Sequence, residues 1–216
     1  MKKLLLFVLS AFLGFGSFAQ QDQKAKSILE NVTKTTRSFQ SIQAAFDYIM
    51  DNKKEGIHEE NKGEIIMKGE KYQLKLPQLG LEVYCDGKNV WSYMKDANEV
   101  SITSMEDESS EMMNPSKLFT IYEEGFNYRF VKETTAEGKS VYVIDLFPQT
   151  KEIEYSKITV QIDKQQMLIK SAEMTGKEGN NYTVRVNHIK TNVPADDRLF
   201  VFDPAKYPGV EEVDLR

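Results

Sequence analysis

The stretch from Ile42 to Ile102 constrains the fold more than any other part of the chain. It reads as five or six short strands separated by turn signals. At its centre lies Glu82-Val83-Tyr84-Cys85-Asp86-Gly87-Lys88-Asn89-Val90-Trp91-Ser92-Tyr93, where a polar Asp-Gly-Lys turn joins two apolar or aromatic halves. That pattern is a strong hairpin signal. Before it, Ala44, Phe46, Tyr48 and Met50 alternate with Gln43, Ala45, Asp47 and Ile49; Gly63, Ile65 and Met67 share a phase, as do Tyr72, Leu74 and Leu76 up to Pro77. A period of two with short connections predicts a meander of antiparallel strands.

A helix precedes the sheet. Ala25, Ile28, Leu29, Val32, Thr36 and Phe39 recur at three-and-four spacing, which predicts a helix over Asp22–Phe39 with one apolar face. Beyond Ile102, Ser104–Glu111 reads as an acidic, Ser-rich loop and Asp51–Asn61 as a charged connection. Asn114-Pro115 has the form of a helix start, followed by a short apolar helix over Ser116–Tyr122 that carries Leu118 and Phe119. Further strands are expected at Tyr128–Lys132, Val141–Phe147, Ile158–Ile162, Met167–Met174 and Tyr182–Ile189. The expected fold is mainly β with helical cover. It is an open, strongly curved antiparallel half-barrel of about 11 strands, with an N-terminal helix and a short central helix.

Residues 1–19 read as a signal peptide: Lys2 and Lys3, the apolar run Leu4–Gly16, then Ser17-Phe18-Ala19 as a cleavage motif. Residues 20–216 read as a single domain, exported as a soluble periplasmic protein. Removal of the leader takes the formal charge from −5 to −7, and mild acidity argues against a nucleic-acid partner. Cys85 is the only cysteine, so there is no intrachain disulfide, and its phase with Leu81 and Val83 marks it as a buried thiol. His58, placed in a charged loop, and His188 have no metal-ligand spacing to each other or to Cys85. No phosphate loop or nucleophile elbow is present. The reading is therefore neither an enzyme nor a cofactor or metal protein.

Large apolar side chains are abundant instead: twelve Phe, ten Tyr, nine Met and one Trp. Phe46, Tyr48, Met50, Ile65, Met67, Tyr72, Leu74, Trp91, Tyr93, Leu118 and Phe119 are the candidates for lining or covering a hydrophobic cavity. Such a cavity binds acyl chains without many polar contacts. The same residues also suit a filled core in an interaction module.

Four segments in order resemble the periplasmic lipoprotein carrier family LolA. They are Ser41-Ile42-Gln43-Ala44-Ala45-Phe46-Asp47; the strand Lys62–Lys68; Asp86-Gly87-Lys88-Asn89-Val90-Trp91-Ser92-Tyr93; and the end, Leu199–Pro204 with Pro208–Val213. The resemblance implies an eleven-stranded half-barrel closed by helices, holding lipoprotein acyl chains. It also implies handover from an inner-membrane releasing complex to an outer-membrane receptor. The chain is expected to be a monomer. The family's Arg-Pro pair, linked to lid control, is replaced here by Lys68-Gly69-Glu70-Lys71-Tyr72. Lys71 becomes the candidate polar latch, without the rigid fork of a guanidinium. Carriage of another lipid or apolar molecule is the alternative reading.

Overall fold

The computed structural model describes residues 16–106, 125–150 and 155–216, with side chains from residue 22 onward. Helix α1 spans Gly16–Arg37, so it starts earlier and ends two residues sooner than its periodicity predicts. Lys34 and Arg37 occupy its last turn, where cations complement the partial negative charge of the helix end. Strands follow in chain order: β1 Ile42–Asn52, β2 Ile57–Lys68, β3 Lys71–Leu76, β4 Leu81–Cys85, β5 Asn89–Met94 and β6 Glu99–Ser104. After the central stretch come β7 Phe126–Ala136, β8 Lys139–Pro148, β9 Tyr155–Asp163, β10 Ile169–Gly176, β11 Asn181–Thr191 and β12 Glu211–Asp214.

These strands form one open, curved 12-stranded sheet in the order β12-β6-β5-β4-β3-β2-β1-β11-β10-β9-β8-β7. Its two meanders, β1–β6 and β7–β11, join through the β1–β11 pair, which closes Ile42 onto Thr191 and Asp51 onto Asn181. The extra strand relative to the expected count is β12, and it corrects the all-antiparallel expectation. It runs parallel to β6, with Glu211 beside Glu99 and Asp214 beside Ile102. Its sequence, Glu-Glu-Val-Asp, is too charged to read as a strand; the β6 ladder imposes the conformation. The apolar Leu199–Phe202 stretch contains the end of a 3-10 turn, Asp197–Phe200, whose cap Asp196 accepts from Arg198 N–H.

The charged Asp51–Asn61 stretch is not a loop. β1 and β2 run through it, and only residues 53–56 turn. Here the ladder overrides polarity, since most side chains at the two strand ends stay solvated, with Asn52 and Asn61 buried. His58 therefore sits on β2 opposite Asp51, with its Nδ1 2.6 Å from the Asp51 carboxylate. The hydrogen bond and charge of Asp51 raise the imidazole pKa above its ordinary value. Because the folded value is raised, the pair stabilises the fold below the unfolded pKa of about 6.5 and loses that contribution as pH rises through the folded pKa. NMR titration should find His58 titrating above an unstructured histidine, and Asp51→Asn should bring it back. An unchanged His58 curve in that variant would mean the contact is not populated in solution.

The predicted central helix, with Leu118 and Phe119, lies outside the described residues.

Candidate functional site

The strand registers carry one face through the whole sheet. Phe46 stands opposite Gly63, Ala44 opposite Ile65 and Ile42 opposite Met67. Met67 then pairs with Tyr72 and Ile65 with Leu74. Tyr72 pairs with Cys85, and Cys85 with Val90. These side chains form one cluster, joined by half-buried Phe39, Tyr48 and Met105. Within it Tyr72 and Cys85 are 0 % exposed and Val90 1 %. The Cys85 thiol lies 3.9 Å from the Met105 sulfur, a buried setting in keeping with its sequence phase.

On the other side of β1 the same face continues through Tyr182, Val184 and Val186 of β11, opposite Met50, Tyr48 and Phe46. Beyond them a second cluster combines Ala172 and Met174 of β10, Ile158 and Val160 of β9, and Ile144 and Leu146 of β8. Helix α1 covers this half through Ala25, Ile28, Leu29 and Val32, all with at most 6 % exposure. Each Ile, Leu or Val so buried contributes about 1.5–3 kcal/mol. At its outer edge Lys24 lies 3.8 Å above the Phe130 ring. Val184 touches both clusters, and around it Tyr48 and Tyr182 stack with centroids 6.1 Å apart. Tyr48, Met50, Tyr182, Val184 and Val186 remain only half-buried. Among the described residues this seam is a stretch of the inner face where apolar surface stays partly accessible.

Of the cavity candidates named from sequence, Phe46, Tyr48, Met50, Ile65, Met67, Tyr72 and Leu74 lie on this inner face. Trp91 and Tyr93 do not. Trp91 stands opposite Tyr84, and Tyr93 opposite Glu82, on the outer face of the sheet. There Tyr84, Tyr93, Val100 and Phe202 form a third cluster, with Trp91, Tyr207 and Val210 against it. Phe202 stacks on Tyr207 with centroids 4.7 Å apart and meets Tyr84 edge-on at 5.7 Å. The chain from Asp196 to Asp214 is thus a strap over the outer face. Its hydroxyl of Tyr207 donates to Glu82 at 3.1 Å, and Tyr84 donates to the same oxygen at 2.5 Å. Burial opposes ionisation of Glu82, but the bonds from Tyr84, Lys75 and Tyr207 outweigh it and hold the carboxyl below its usual range. Burial and the Glu82 bond push the Tyr84 hydroxyl well up.

Among the described residues Lys71 pairs with this strap, on the outer face. It shares the outer phase of β3 with Gln73 and Lys75, and its Nζ lies 2.7 Å from Asp197. Lys68 reaches the other Asp197 oxygen at 2.8 Å. The two lysines, Lys68 first, hold the Asp197 carboxyl below its ordinary range. Between them the turn Gly69-Glu70 has φ +60° at Gly69, as a two-residue type II′ turn requires at its first position. The positive φ at Gly69 suits glycine at the place where the family pattern has its Arg-Pro pair. Leu118 and Phe119 lie outside the described residues. Among the described residues no group of three His, Cys, Asp or Glu side chains is arranged to hold a metal, and no helix is long and apolar enough to cross a membrane.

An apolar, curved inner face beneath a helix is the arrangement that the resemblance implies. The family model of the outer membrane lipoprotein carrier protein LolA matches residues 37–203. The chain belongs to the LolA family. A conserved protein of uncharacterised function from Thermus thermophilus superposes with a TM-score of 0.62 at 14 % identity, over 89 % of this chain and 99 % of that one. The lipoprotein LppX of Mycobacterium tuberculosis gives a TM-score of 0.52 at 14 % identity, over 81 % and 98 %. Both likenesses speak for the LolA-like fold. An uncharacterised protein of Methanocaldococcus jannaschii is 29 % identical over 124 residues, 56 % of this chain. The chain spans about a third of the length of that curated relative, 35 %.

Sequence reasoning missed Val184, Val186 and Tyr182 as members of the site. Their alternation in Asn181–Thr191 is regular enough to find them. What it lacks is the pairing partner, β1, which lies about 135 residues away in sequence.

Proposed function

We propose that this protein is a periplasmic carrier that holds the acyl chains of lipoproteins against its inner face and moves them from the inner to the outer membrane. Residues 1–19 are the proposed leader and residues 20–216 the carrier domain. The observation that carries the reading is the half-buried seam of Tyr48, Met50, Tyr182, Val184 and Val186 between two closed apolar clusters. An acyl chain entering there lies along the β1–β11 region, beside the half that α1 covers, and replaces water with side chains. Each methylene kept from water is worth about 0.8 kcal/mol, so transfer needs a continuous apolar path more than any catalytic group. Met50 and Met174 suit such a path, since an unbranched thioether adapts to varied shapes. No covalent step is part of the reading.

The test is a titration with a fluorescent fatty acid, alongside native mass spectrometry of gently extracted protein. Val184→Asp should weaken the probe at least about tenfold while circular dichroism stays native, because a carboxylate in an apolar site costs several kcal/mol. Lys71→Ala should change affinity less than about twofold, since its exposed pair with Asp197 is worth only about 0–1 kcal/mol and faces outward. Phe119→Ala tests the sequence-based proposal that the Ser116–Tyr122 stretch covers the mouth. Protein that ignores acyl probes and is always extracted empty would leave the filled-core reading in place.

A further inference from the structure

The sheet is split at one end between β10 and β11. Their pairing runs from Thr175 opposite Asn181 to Ser171 opposite Arg185 and stops there. β11 continues to Thr191, still paired with β1 on its other side. Two bulges sit at the point of separation. Lys170 is the extra residue where β10 passes from Ile162 to Gln161 of β9. Asn187 is the extra residue where β11 passes from Ala45 to Phe46 of β1. A bulge bends its strand and increases the local twist, and two facing bulges turn the strands apart.

The resulting open cleft has a volume of about 550 Å³, with Leu168, Ile169 and Lys170 on one wall and Asn187, His188 and Ile189 on the other. Phe39 and Val186 also line it, and with Ile189 they belong to the inner-face cluster. The cleft is therefore continuous with the apolar face.

The direction of the β11 backbone groups that no described strand takes up follows from one bond. Asn192 N–H donates to Ser41 C=O at 2.7 Å. Hydrogen-bonded pairs alternate along an antiparallel ladder, so Lys190 and His188 turn their N–H and C=O groups to β1. Those of Ile189 and Thr191 point into the cleft. Only an extended chain satisfies donors and acceptors at that two-residue repeat.

The charge at the cleft selects among such chains. On a protein of net charge −5, Lys139 and Lys170 line the cleft and Lys190 lies exposed beside it. The one lining carboxylate among the described residues, Asp163, accepts from Gln165 and Gln166 N–H at 2.9 Å each and lies 3.6 Å from Lys139. Lys170 meets the exposed Glu137 carboxylate at 2.8 Å, a pairing that an incoming acidic side chain would exchange.

We propose that this split takes an extended, acidic segment of polypeptide as an added strand on β11. Resting on the carrier reading, the segment is the stretch of cargo polypeptide next to its acyl-bearing end. With acyl chains against Val184 and Val186, that stretch leaves by way of Ile189 and Thr191.

The test uses the mature chain and a fluorescein-labelled eight-residue peptide of alternating Asp and Val, read by anisotropy and amide hydrogen exchange. Saturable binding is expected. N-methylation of alternate amides along one peptide edge should weaken it about tenfold or more, as two or three hydrogen bonds are lost. Lys139→Glu with Lys170→Glu should weaken it about fivefold or more. On binding, the Ile189 and Thr191 amides should gain protection while His188 and Lys190, already bonded to β1, do not. Equal affinity for the N-methylated peptide, or no protection at Ile189 and Thr191, overturns the proposal; in the former case binding by charge alone, as to a lipid headgroup, takes its place. Acyl-probe binding is measured separately. Probe binding without peptide binding leaves the carrier reading and removes this inference, and peptide binding without probe binding keeps the strand site while removing its assignment to cargo.

Discussion

Gly63→Ala is expected to lower stability by about 1–3 kcal/mol, the usual cost of overpacking a filled site. Gly63 is the cross-strand partner of Phe46, and the Phe46 ring lies over its backbone. A Cβ built on Gly63 would be 2.2 Å from the ring's Cζ and under 3 Å from both its Cε atoms. Replacing glycine by alanine also narrows the unfolded ensemble, which favours folding by about 0.4–1 kcal/mol. The clash wins, because three ring atoms of a 7 % exposed side chain must move together in a packed layer. Urea unfolding measures the loss, and Phe46→Leu added to Gly63→Ala should recover part of it. A favourable coupling of about 0.5 kcal/mol or more in that cycle marks direct contact. An unchanged midpoint for Gly63→Ala alone would mean that the ring does not rest there. The substitution also reads on function: a ring displaced from Gly63 swings toward Val186, its neighbour on the other side of β1, and should narrow the acyl path.

Gly63 shows which parts of the fold were legible. A glycine between Ile65 and an otherwise unremarkable charged stretch signals close approach of another group, and it stood in phase with Ile65 and Met67. The Asp86 turn was equally plain. Its carboxylate accepts from Lys88 and Asn89 N–H at 2.8 Å each, as a short polar side chain at a turn commonly does. The amphipathic helix was legible because its apolar stripe is local. Assignment of faces was harder. Leu81, Val83 and Cys85 were visibly one apolar phase, and the pairing of Cys85 with Val90 leaves Trp91 and Tyr93 on the opposite side. Both faces of β4 and β5 carry large apolar or aromatic side chains, however, so local pattern cannot say which is the inner one. The outer face is apolar because Phe202 and Tyr207 cover it, and they come from more than a hundred residues downstream. The same distance hid Asp197 as the partner of Lys71. The split between β10 and β11 was invisible for another reason: a bulge adds one residue to one strand, and nothing in Lys170 or Asn187 as residue types announces it.

Phe202→Ala is expected to cost about 3–5 kcal/mol, the range for truncating a buried phenylalanine, and to do so at the strap. Phe202 is 5 % exposed and touches the rings of Tyr84, Tyr93 and Tyr207. Without it, Tyr207 loses its stacking partner, and the Glu82 carboxylate risks losing one of its two tyrosine donors. Upstream, the strap stays anchored by Phe200, which is fully buried; apart from these two phenylalanines the remaining ties are weaker. The Asp197 pairs with Lys68 and Lys71 are solvent-exposed, and β12 adds four residues along one edge. Local release therefore becomes competitive with global unfolding. Two signals separate these outcomes. Trp91, the only tryptophan, lies against the strap cluster, so its emission should shift to the red before the far-ultraviolet circular dichroism is lost. Hydrogen exchange should accelerate at Val210–Asp214 and leave Tyr48, Val184 and Leu146 protected. Acyl-probe affinity should change less than about twofold, because Phe202 and the inner face lie on opposite sides of the sheet. A large loss of probe affinity in Phe202→Ala, with Tyr182 and Val184 still protected, would tie the outer face to the ligand and return Trp91 and Tyr93 to the candidate site. Retained affinity with a released strap assigns those two aromatics to the packing of the C-terminal segment.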